Sequence, residues 1–435
     1  MTYPKFTETF PTDISWVGDL PKNWKLVRLG FLFDLQRRPP QPGQGVVTAF
    51  RDGQVTLRSK RRVDGYTEAD KEIGYQTVLP GDLVIHAMDA FAGAIGVSDS
   101  EGKCSPVCSV CTPREGVDSR FYGYAMRHIA LSGFITSLAK GIRERSTDFR
   151  WADARLLPVP VPPNAAQIVT FIRRETAKID RLIAKQERLI ELSKEKLIAL
   201  VSADDSAQTS TRIRHCVDII ERPVTLDPLG SYIKVGMFNR GRGLFKKPEE
   251  IGSEMGDSDF YWIEDGDLVL SGQFAWEGAV GIADSDFNGC VVSHRYPVIR
   301  GRPGWVNTEY LLVLFWSKYG HFLLNENSRG AAGRNRPLNL NSLLNEKIVV
   351  PSAEVQKRVS ELYSWRKVFL AKVSLQRERL LEHRQALISA AVTGKIDIRG
   401  LVTDEEVAAL DAESEEIPDL KTEEDASYTT EEEQG

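Results

Sequence analysis

The stretch LPVPVPPNAAQIVTFIRRETAKIDRLIAKQERLIELSKEKLIALVSA, residues 157–203, decides the fold because the chain repeats its pattern. The second copy is KIVVPSAEVQKRVSELYSWRKVFLAKVSLQRERLLEHRQALISAA, residues 347–391. In each copy a short valine-proline strand precedes a long run of helical periodicity that begins near Gln167 or Gln356. A duplicated helix with a globular stretch before each copy predicts a chain built from an internal repeat.

Apolar residues recur along both helical runs at the three- and four-residue spacing of a coiled-coil or bundle helix. At 1.5 Å per residue each helix would be roughly 54 Å long, so it could not bury its apolar stripe without a partner helix. We expect the two copies to pair, with contact candidates Ile179, Leu182, Leu189, Phe369, Val373 and Leu380. The predicted fold class is α+β, with two pseudo-symmetric globular domains separated by two long helices that form an antiparallel coiled coil.

The two globular stretches share further repeated phrases. Those at a distance of 185 residues are PGDLV at 80–84 with DGDLV at 265–269, and GAIGV at 93–97 with GAVGI at 278–282. Leu29-Gly30 is matched with Leu229-Gly230, at a distance of 200 residues. This larger distance predicts that one loop region differs greatly in length between two otherwise similar folds.

The repeat and the composition together predict the domain boundaries. The segments are a first globular domain (1–157), the first long helix (158–203), a polar and flexible linker (204–215), a second globular domain (216–346), the second long helix (347–399) and an acidic, disordered tail (400–435). Gly394, just after the second helix, is the expected C-cap.

Net charge differs between the body and the tail of the chain. Residues 404–435 carry 14 Asp or Glu against one Lys, whereas the remaining residues carry a net charge of +8. A mildly basic body permits a polyanionic partner. With 42% hydrophobic and 27% charged residues, no long apolar run and no signal-peptide pattern at the N-terminus, a globular protein in the cytoplasm, without a membrane, is expected.

Three of the five cysteines cluster as Cys104, Cys108 and Cys111. They could be zinc ligands, with His86 or His128 as a fourth ligand, which would suit a zinc enzyme. The simpler interpretation is an alternating strand whose thiols are buried as small apolar groups, with no metal bound. No second CxxC pair supports the zinc site, so the strand interpretation is favoured.

Two Arg-rich segments occupy matching places before the two valine-proline strands, at 141–151 and 328–336. Arg and Asn side chains suit guanine and adenine edges, so the candidate DNA contacts are Arg143, Arg145, Arg150, Arg329, Arg334, Asn335 and Arg336. Candidate contacts to phosphate are Arg37, Arg38, Lys60, Arg61, Arg62, Arg240, Arg242, Lys246 and Lys247. Double-stranded DNA suits two units at a fixed separation, because half-sites on one face recur every about 34–36 Å. Such loops also form ordinary surface turns.

Catalytic motifs are absent from the sequence. It has no phosphate loop of the GxxxxGK[ST] type, no GxGxxG after a strand, no HExxH and no Gly-x-Ser-x-Gly elbow. The [DNS]-P-P-[FYW] tetrapeptide of amino-methyltransferases is missing as well. The sequence therefore favours a binding subunit over an enzyme, with no catalytic residues of its own.

An ordered set of phrases resembles the specificity subunit of a type I restriction-modification enzyme. PKNWKLVRLG at 21–30 resembles the family's domain start, and the valine-proline strands before Gln167 and Gln356 resemble the segments that lead into its helices. KIDRLI at 178–183 and QALISAAVTGKID at 385–397 resemble its helix phrases. The similarity covers about residues 16–399. The first helix lacks the Thr-Gly-Lys-Ile ending, and the second unit lacks a Pro-x-x-Trp start.

The resemblance implies a function in complex with other proteins. Two target-recognition domains would each bind one half of a split duplex DNA sequence, and the helices would dock two methyltransferase (M) subunits that methylate adenine. Restriction (R) subunits would add motor and nuclease activity. The cofactors S-adenosylmethionine, ATP and Mg would belong to those partners, with none in this chain. The alternative is a coiled-coil scaffold that pairs two partner proteins, with incidental DNA contact.

Overall fold

The structure, a computed structural model, describes residues 3–61, 72–137, 148–203, 208–330 and 336–412. The chain divides into two compact units, unit 1 with Met1–Leu182 and Glu378–Gly435, and unit 2 with Ile183–Arg377. Each unit therefore takes one half of each long helix together with a globular region, whereas the sequence suggested separate helical segments. None of the helices within these ranges combines the length and apolar composition that crossing a bilayer requires.

Unit 1 is built from short strands around one four-stranded sheet. The strands are β1 (Thr9–Pro11), β2 (Asp19–Pro21), β3 (Lys25–Arg28), β4 (Phe33–Leu35), β5 (Val47–Ala49), β6 (Val55–Leu57), β7 (Gln76–Val78), β8 (Leu83–His86), β9 (Ile95–Val97), β10 (Gly102–Cys104), β11 (Cys108–Pro113) and β12 (Pro158–Val161). The helices are α1 (Arg58–Arg61), α2 (Ser119–Leu131), α3 (Phe134–Ser137), α4 (Trp151–Ala154) and the first half of α5 (Ala165–Ser202). The sheet has the antiparallel order β4-β11-β8-β9.

Strand β8 explains why the sequence around it is continuously apolar. Leu83 and Ile85 face a large core that includes Phe121 of α2, while Val84 faces a smaller core with Val110. A strand that is buried on both faces has no polar face, so its side chains do not alternate. The sheet is therefore the wall that separates the two cores of unit 1.

Unit 2 repeats this architecture. Its strands are β13 (Thr209–Arg212), β14 (Val217–Ile219), β15 (Ser231–Met237), β16 (Leu244–Ile251), β17 (Phe260–Trp262), β18 (Leu268–Leu270), β19 (Val280–Ile282), β20 (Val291–Ser293), β21 (Val298–Gly301) and β22 (Lys347–Val350). The helices are α6 (Ile213–Cys216), α7 (Thr308–Trp316), α8 (Lys318–Glu326), α9 (Leu340–Asn345) and the first half of α10 (Ala353–Val392). The antiparallel sheet β14-β21-β18-β19 matches β4-β11-β8-β9 of unit 1.

The start of the second globular region lies earlier than the sequence match suggested. Strand β13 pairs with β22 as β3 pairs with β12. The Leu29 N–H then donates to Leu157 O at 2.9 Å, and the Ile213 N–H donates to Glu346 O at 3.0 Å. Ile213 is therefore the counterpart of Leu29, and the match with Leu229, which is 89% exposed, is wrong. The predicted large difference in loop length disappears, and the predicted flexible linker is wrong for Thr209–Arg212, which forms a strand.

A buried aspartate lies at the same place in each unit. Asp82 accepts from Arg38 at 2.5 Å and from the Leu79 N–H at 2.8 Å. Asp267, whose side chain is 0% exposed, accepts from Arg222 and Arg300, each at 2.7 Å, and from the Glu264 N–H at 2.8 Å. The repeated Gly-Asp phrase thus marks a carboxylate that is buried because arginine and backbone donors surround it.

The two long helices run antiparallel within each unit. In unit 2, Gln186 Nε2 donates to Gln376 Oε1 at 3.1 Å, and Arg366 Nε donates to Ser193 Oγ at 3.0 Å, so numbers rise along one helix and fall along the other. In unit 1, Arg384 Nε lies 3.2 Å from Asp180 Oδ1. The predicted helix pair is present, and polar contacts form much of its seam.

The predicted apolar contacts of the helix pair are only partly present. Ile179 and Val373 are buried, and Phe369 and Leu380 are half-buried. Leu182 and Leu189 are 50% and 52% exposed, so their assignment to the seam is wrong. The reason is that polar residues pair at neighbouring seam positions, and the leucines lie at the edge of the buried face. Gly394 follows α10 with φ of 70°, which confirms the predicted left-handed cap.

The acidic tail begins with an ordered helix, α11 (Asp404–Ala412). Thr403 and Glu406 bond reciprocally, since the Glu406 N–H donates to Thr403 Oγ1 at 3.2 Å and the Thr403 N–H donates to Glu406 Oε2 at 2.9 Å. This is a capping box. Arg174 of α5 also donates to Glu406 Oε1 at 2.9 Å. The prediction of disorder is therefore wrong for 404–412, while 413–435 lie outside the described residues.

Replacement of the buried carboxylate tests the frame of unit 2. Asp267→Asn keeps the shape but leaves Arg222 and Arg300 facing a neutral amide, so the free energy of unfolding is expected to fall by about 3–5 kcal/mol. Asp265→Asn, two residues away and exposed, is the control and should change it by less than about 0.5 kcal/mol. Denaturant titration measures both, and equal effects would contradict the assignment.

Candidate nucleic-acid and partner interfaces

The loop 238–243 of unit 2 joins β15 to β16 and carries two of the predicted DNA contacts. Arg240 has a positive φ of 60°, which is rare for a residue other than glycine. The Arg240 N–H donates to Glu277 O and the Gly241 N–H donates to Gly278 O, each at 2.8 Å. These bonds hold the loop against the tight turn at Ala275–Glu277. The Arg240 side chain is therefore projected from a fixed backbone.

Stacked guanidinium groups stand near the same turn. Arg336 lies over the Trp276 ring, with 4.7 Å from its Cζ to the ring centroid, and Arg242 lies over Phe238 at 5.0 Å. Stacking on an aromatic face fixes the plane of a guanidinium group and leaves its edge donors available. Trp276 neighbours Glu277, whose backbone holds Arg240, so the structure brings Arg240, Arg242 and Arg336 to one side of unit 2. We call these three residues the arginine cluster.

The corresponding loop of unit 1, between β5 and β6, carries different side chains. Arg51 lies 3.0 Å from Asp89, which belongs to the tight turn of this unit. Arg61 lies 2.7 Å from Asp52 and over the Phe50 ring, and its side chain is only 9% exposed. This geometry gives Arg61 a role in holding the loop, so it is the phosphate candidate that the structure supports least.

Three of the other described candidates are exposed and lie near carboxylates. Lys60 lies 3.8 Å from Asp99, Arg150 lies 2.6 Å from Asp148, and Arg329 lies 3.2 Å from Glu326. Exposed pairs of this kind are weak and can exchange for phosphate contacts. The candidates Arg62, Arg143, Arg145, Arg334 and Asn335 lie outside the described residues. All of these assignments stay predictions.

Sequence reasoning missed Arg51 and Trp276. Arg51 occupies the loop place that Arg240 occupies in unit 2, since the backbone of each arginine lies against the left-handed glycine that ends the tight turn, Gly93 or Gly278. The repeat that placed Gly93 opposite Gly278 could have located both loops. Trp276 gave no signal, because an aromatic residue in a short turn is not periodic.

The cysteine cluster is part of the hydrophobic interior. Cys104 and Cys108 face the smaller core of unit 1, whereas Cys111 faces the larger core on the other side of the sheet. A hydrogen bond with Cys104 and burial raise the pKa of Cys108, and burial raises the pKa of Cys111. Zinc needs its ligands around one point, and thiols on opposite faces of a sheet do not meet at one point. Within the described ranges no metal-binding group of His, Cys, Asp or Glu side chains occurs.

Helix α10 exposes an apolar stripe in unit 2. Trp365, Val368 and Leu375 are each more than half exposed, and their spacing places them on one face of the helix. Trp365 stacks on Phe369 with ring centroids 5.0 Å apart, which fixes its orientation. Large exposed aromatic and aliphatic side chains at helical spacing are typical of a surface that binds a protein.

Comparison with known proteins supports the fold. No protein-family model matches the chain, and no curated protein matches it. One match is a chain of a structure that concerns complex assembly and conformational transition of the type I R-M system. The two chains are 18% identical, with a TM-score of 0.51 over 87% of this chain and 99% of that chain. Two S subunits also match. The HsdS subunit from Thermoanaerobacter tengcongensis is 20% identical, with a TM-score of 0.41 over 87% of this chain and 98% of that chain. The Type-I restriction-modification system S subunit from M. genitalium is 13% identical, with a TM-score of 0.42 over 85% of this chain and 96% of that chain. The predicted resemblance is confirmed as a likeness of fold.

Arg336→Ala tests the arginine cluster. If the stacked guanidinium group binds a base edge, the affinity for duplex DNA should fall by about 1–3 kcal/mol and the sequence preference should relax at one position. Arg336→Lys should recover little, because an ammonium group lacks the planar fork. Lys318→Ala, an exposed cation of unit 2, is the control. Fluorescence anisotropy against a set of single-base variants measures the effect, and an unchanged preference for Arg336→Ala would refute the base contact.

Proposed function

We propose that the chain is the DNA-specificity subunit of a type I restriction-modification complex and that it recognises a bipartite duplex sequence. The observation that carries this proposal is the pair of units with one architecture and different loops. The same sheet order and the same buried aspartate recur. A repeated frame with different loop side chains suits the recognition of two different half-sites.

The loops support recognition of different sequences by the two units. In unit 2, Arg336 stacks on Trp276 of the turn at Ala275–Glu277, and Arg242 stacks on Phe238 of the loop that bonds this turn. In unit 1 the loop presents Arg51 beside Asp89. Bidentate arginine contacts select guanine, whereas an arginine paired with a carboxylate presents fewer donors. Each unit would therefore prefer a different half-site.

The proposed chemistry belongs to partner subunits. Two adenine-methyltransferase (M) subunits would use S-adenosylmethionine, and restriction (R) subunits would use ATP and Mg. This chain would supply the binding energy for the target and the docking surfaces, and it would catalyse no step. The two long helices would set the spacing between the half-sites. The apolar stripe of α10 supports a protein partner on that helix.

A map of methylated adenine tests this function. The full chain, expressed with its methyltransferase partner in a host that lacks other methylation, should direct methylation to one split motif. The two specific parts of the motif should be separated by a spacer of fixed length, because the subunit binds both halves at once. Single-molecule sequencing of host DNA measures this. Methylation without a split motif would contradict the proposal and would favour the scaffold alternative.

Docking on α10 has its own test. Trp365→Ala combined with Val368→Ser removes two exposed side chains of the stripe and should reduce co-purification of the methyltransferase at least tenfold, because buried aromatic anchors carry much of an interface's binding energy. DNA binding by the chain alone should not change. Ile73→Ser, which removes an exposed apolar side chain outside the helices, is the control. Full co-purification of the double variant would exclude this stripe as the docking surface.

A further inference from the structure

A cleft in unit 1 of about 600 Å³ has an unusual lining. Its described lining residues include four arginines, Arg37, Arg38, Arg150 and Arg155, and no aspartate or glutamate. Tyr75 and Trp151 also line it. The volume lies in the range of small-ligand pockets, and walls of one charge concentrate the electrostatic field of a cleft.

Two of the four arginines have carboxylate partners just outside the lining. Arg38 pairs with the buried Asp82 at 2.5 Å, and Arg150 pairs with Asp148 at 2.6 Å. Arg37 and Arg155 are exposed, and neither forms a salt bridge with a carboxylate in the part of the chain that the structure describes. The cleft therefore holds an excess of positive charge that arises from Arg37 and Arg155.

Unit 2 shows which of these arginines the frame requires. Arg222 occupies the place of Arg38, because each pairs with the buried aspartate of its unit. Glu221 precedes Arg222 where Arg37 precedes Arg38. The shared frame therefore needs an arginine at the second position of this pair and none at the first.

The other two arginines have uncharged counterparts in unit 2. Arg150 is the N-cap of α4, and Asn339 is the N-cap of α9. Leu157 O accepts from the Leu29 N–H and Glu346 O accepts from the Ile213 N–H, so Leu157 and Glu346 are counterparts. Arg155 and Leu344 each lie two residues before them, so Leu344 is the counterpart of Arg155. Unit 2 builds the same frame without these positive charges. Folding of the frame therefore does not require these arginines, whereas the binding of an anionic ligand would explain them.

We infer that this cleft of unit 1 binds phosphate groups of a nucleic-acid backbone. Guanidinium groups bind phosphate oxygens through paired N–H donors, and Arg37 and Arg155 each have such donors available. Contacts to phosphate position a protein on DNA and carry no sequence information directly. The inference rests on the proposed function and deepens it, since it assigns to unit 1 a phosphate-binding site at positions where unit 2 carries Glu221 and Leu344.

A salt titration of DNA binding tests the cleft. The full-length double variant Arg37→Ala with Arg155→Ala should lower the slope of log affinity against log salt concentration by about 2, about one per lost phosphate contact. The loss of affinity should be similar on every duplex sequence. The double variant Arg37→Lys with Arg155→Lys should keep most of the slope, because lysine also binds phosphate as a point charge. Arg214→Ala with Arg358→Ala, two exposed arginines of unit 2, is the control pair.

The outcomes separate this inference from the proposed function. An unchanged slope in a variant that unfolds at the wild-type temperature overturns the inference, even if the split motif is recognised. A lowered slope supports it, even if no sequence preference is found. Thermal unfolding in the presence of inorganic phosphate provides a second measurement. If it stabilises the wild-type chain against heat but not the alanine variant, while the DNA slope stays unchanged, the cleft binds a free anion and the assignment to the nucleic-acid backbone is overturned.

Discussion

A buried carboxylate that arginine neutralises is the interaction on which each unit depends. Asp82 and Asp267 lie directly before an inner strand of their sheets, β8 or β18, and each accepts a backbone N–H from the turn that precedes it. A charge without water must have close partners, and the arginines come from other strands or from segments next to them. The pairs Arg38–Asp82 and Arg222–Asp267 therefore fix how the first segment of each globular region meets the sheet.

This constraint does not involve the side chains of the surface loops, so those can differ between the units. The buried pair, the left-handed glycine of the tight turn and the paired strands at the domain start recur in both units. The side chains differ between the units in the loop 238–243 and its counterpart between β5 and β6, and at the cleft of unit 1. A frame whose folding does not depend on these side chains can present different surfaces in the two units. Function in this fold is then a property of the loops.

Much of the architecture could be predicted from the sequence because it is repetitive. The paired long helices, the equivalent central strands and the cap at Gly394 all leave periodic or repeated signals. The start of the second globular region left no such signal. The sequence match at Leu229 rested on a single Leu-Gly dipeptide, whereas the true counterpart, Ile213, is identified by strand pairing. Strand pairing depends on residues far apart in the chain, which a local pattern cannot show.

The remaining errors have equally physical causes. Leu182 and Leu189 fit an apolar register, but polar pairs such as Gln186 with Gln376 hold the neighbouring part of the seam. The tail was judged by its charge, although Thr403 and Glu406 have the spacing of a capping box and could have marked a helix. The site is the least predictable part. Arg61 and Arg336 are both arginines in polar segments, and only their contacts distinguish a loop-holding residue from a stacked one.

The central claim is that each unit binds its own half of one DNA target. Exchange of residues 213–346 for the corresponding region of a subunit with a different specificity tests it most directly, because this segment lies between the paired strands β13 and β22, which both stay unchanged. Sequencing of methylated host DNA should show one half of the motif replaced and the other half unchanged. A change in both halves, or in neither, would contradict the account.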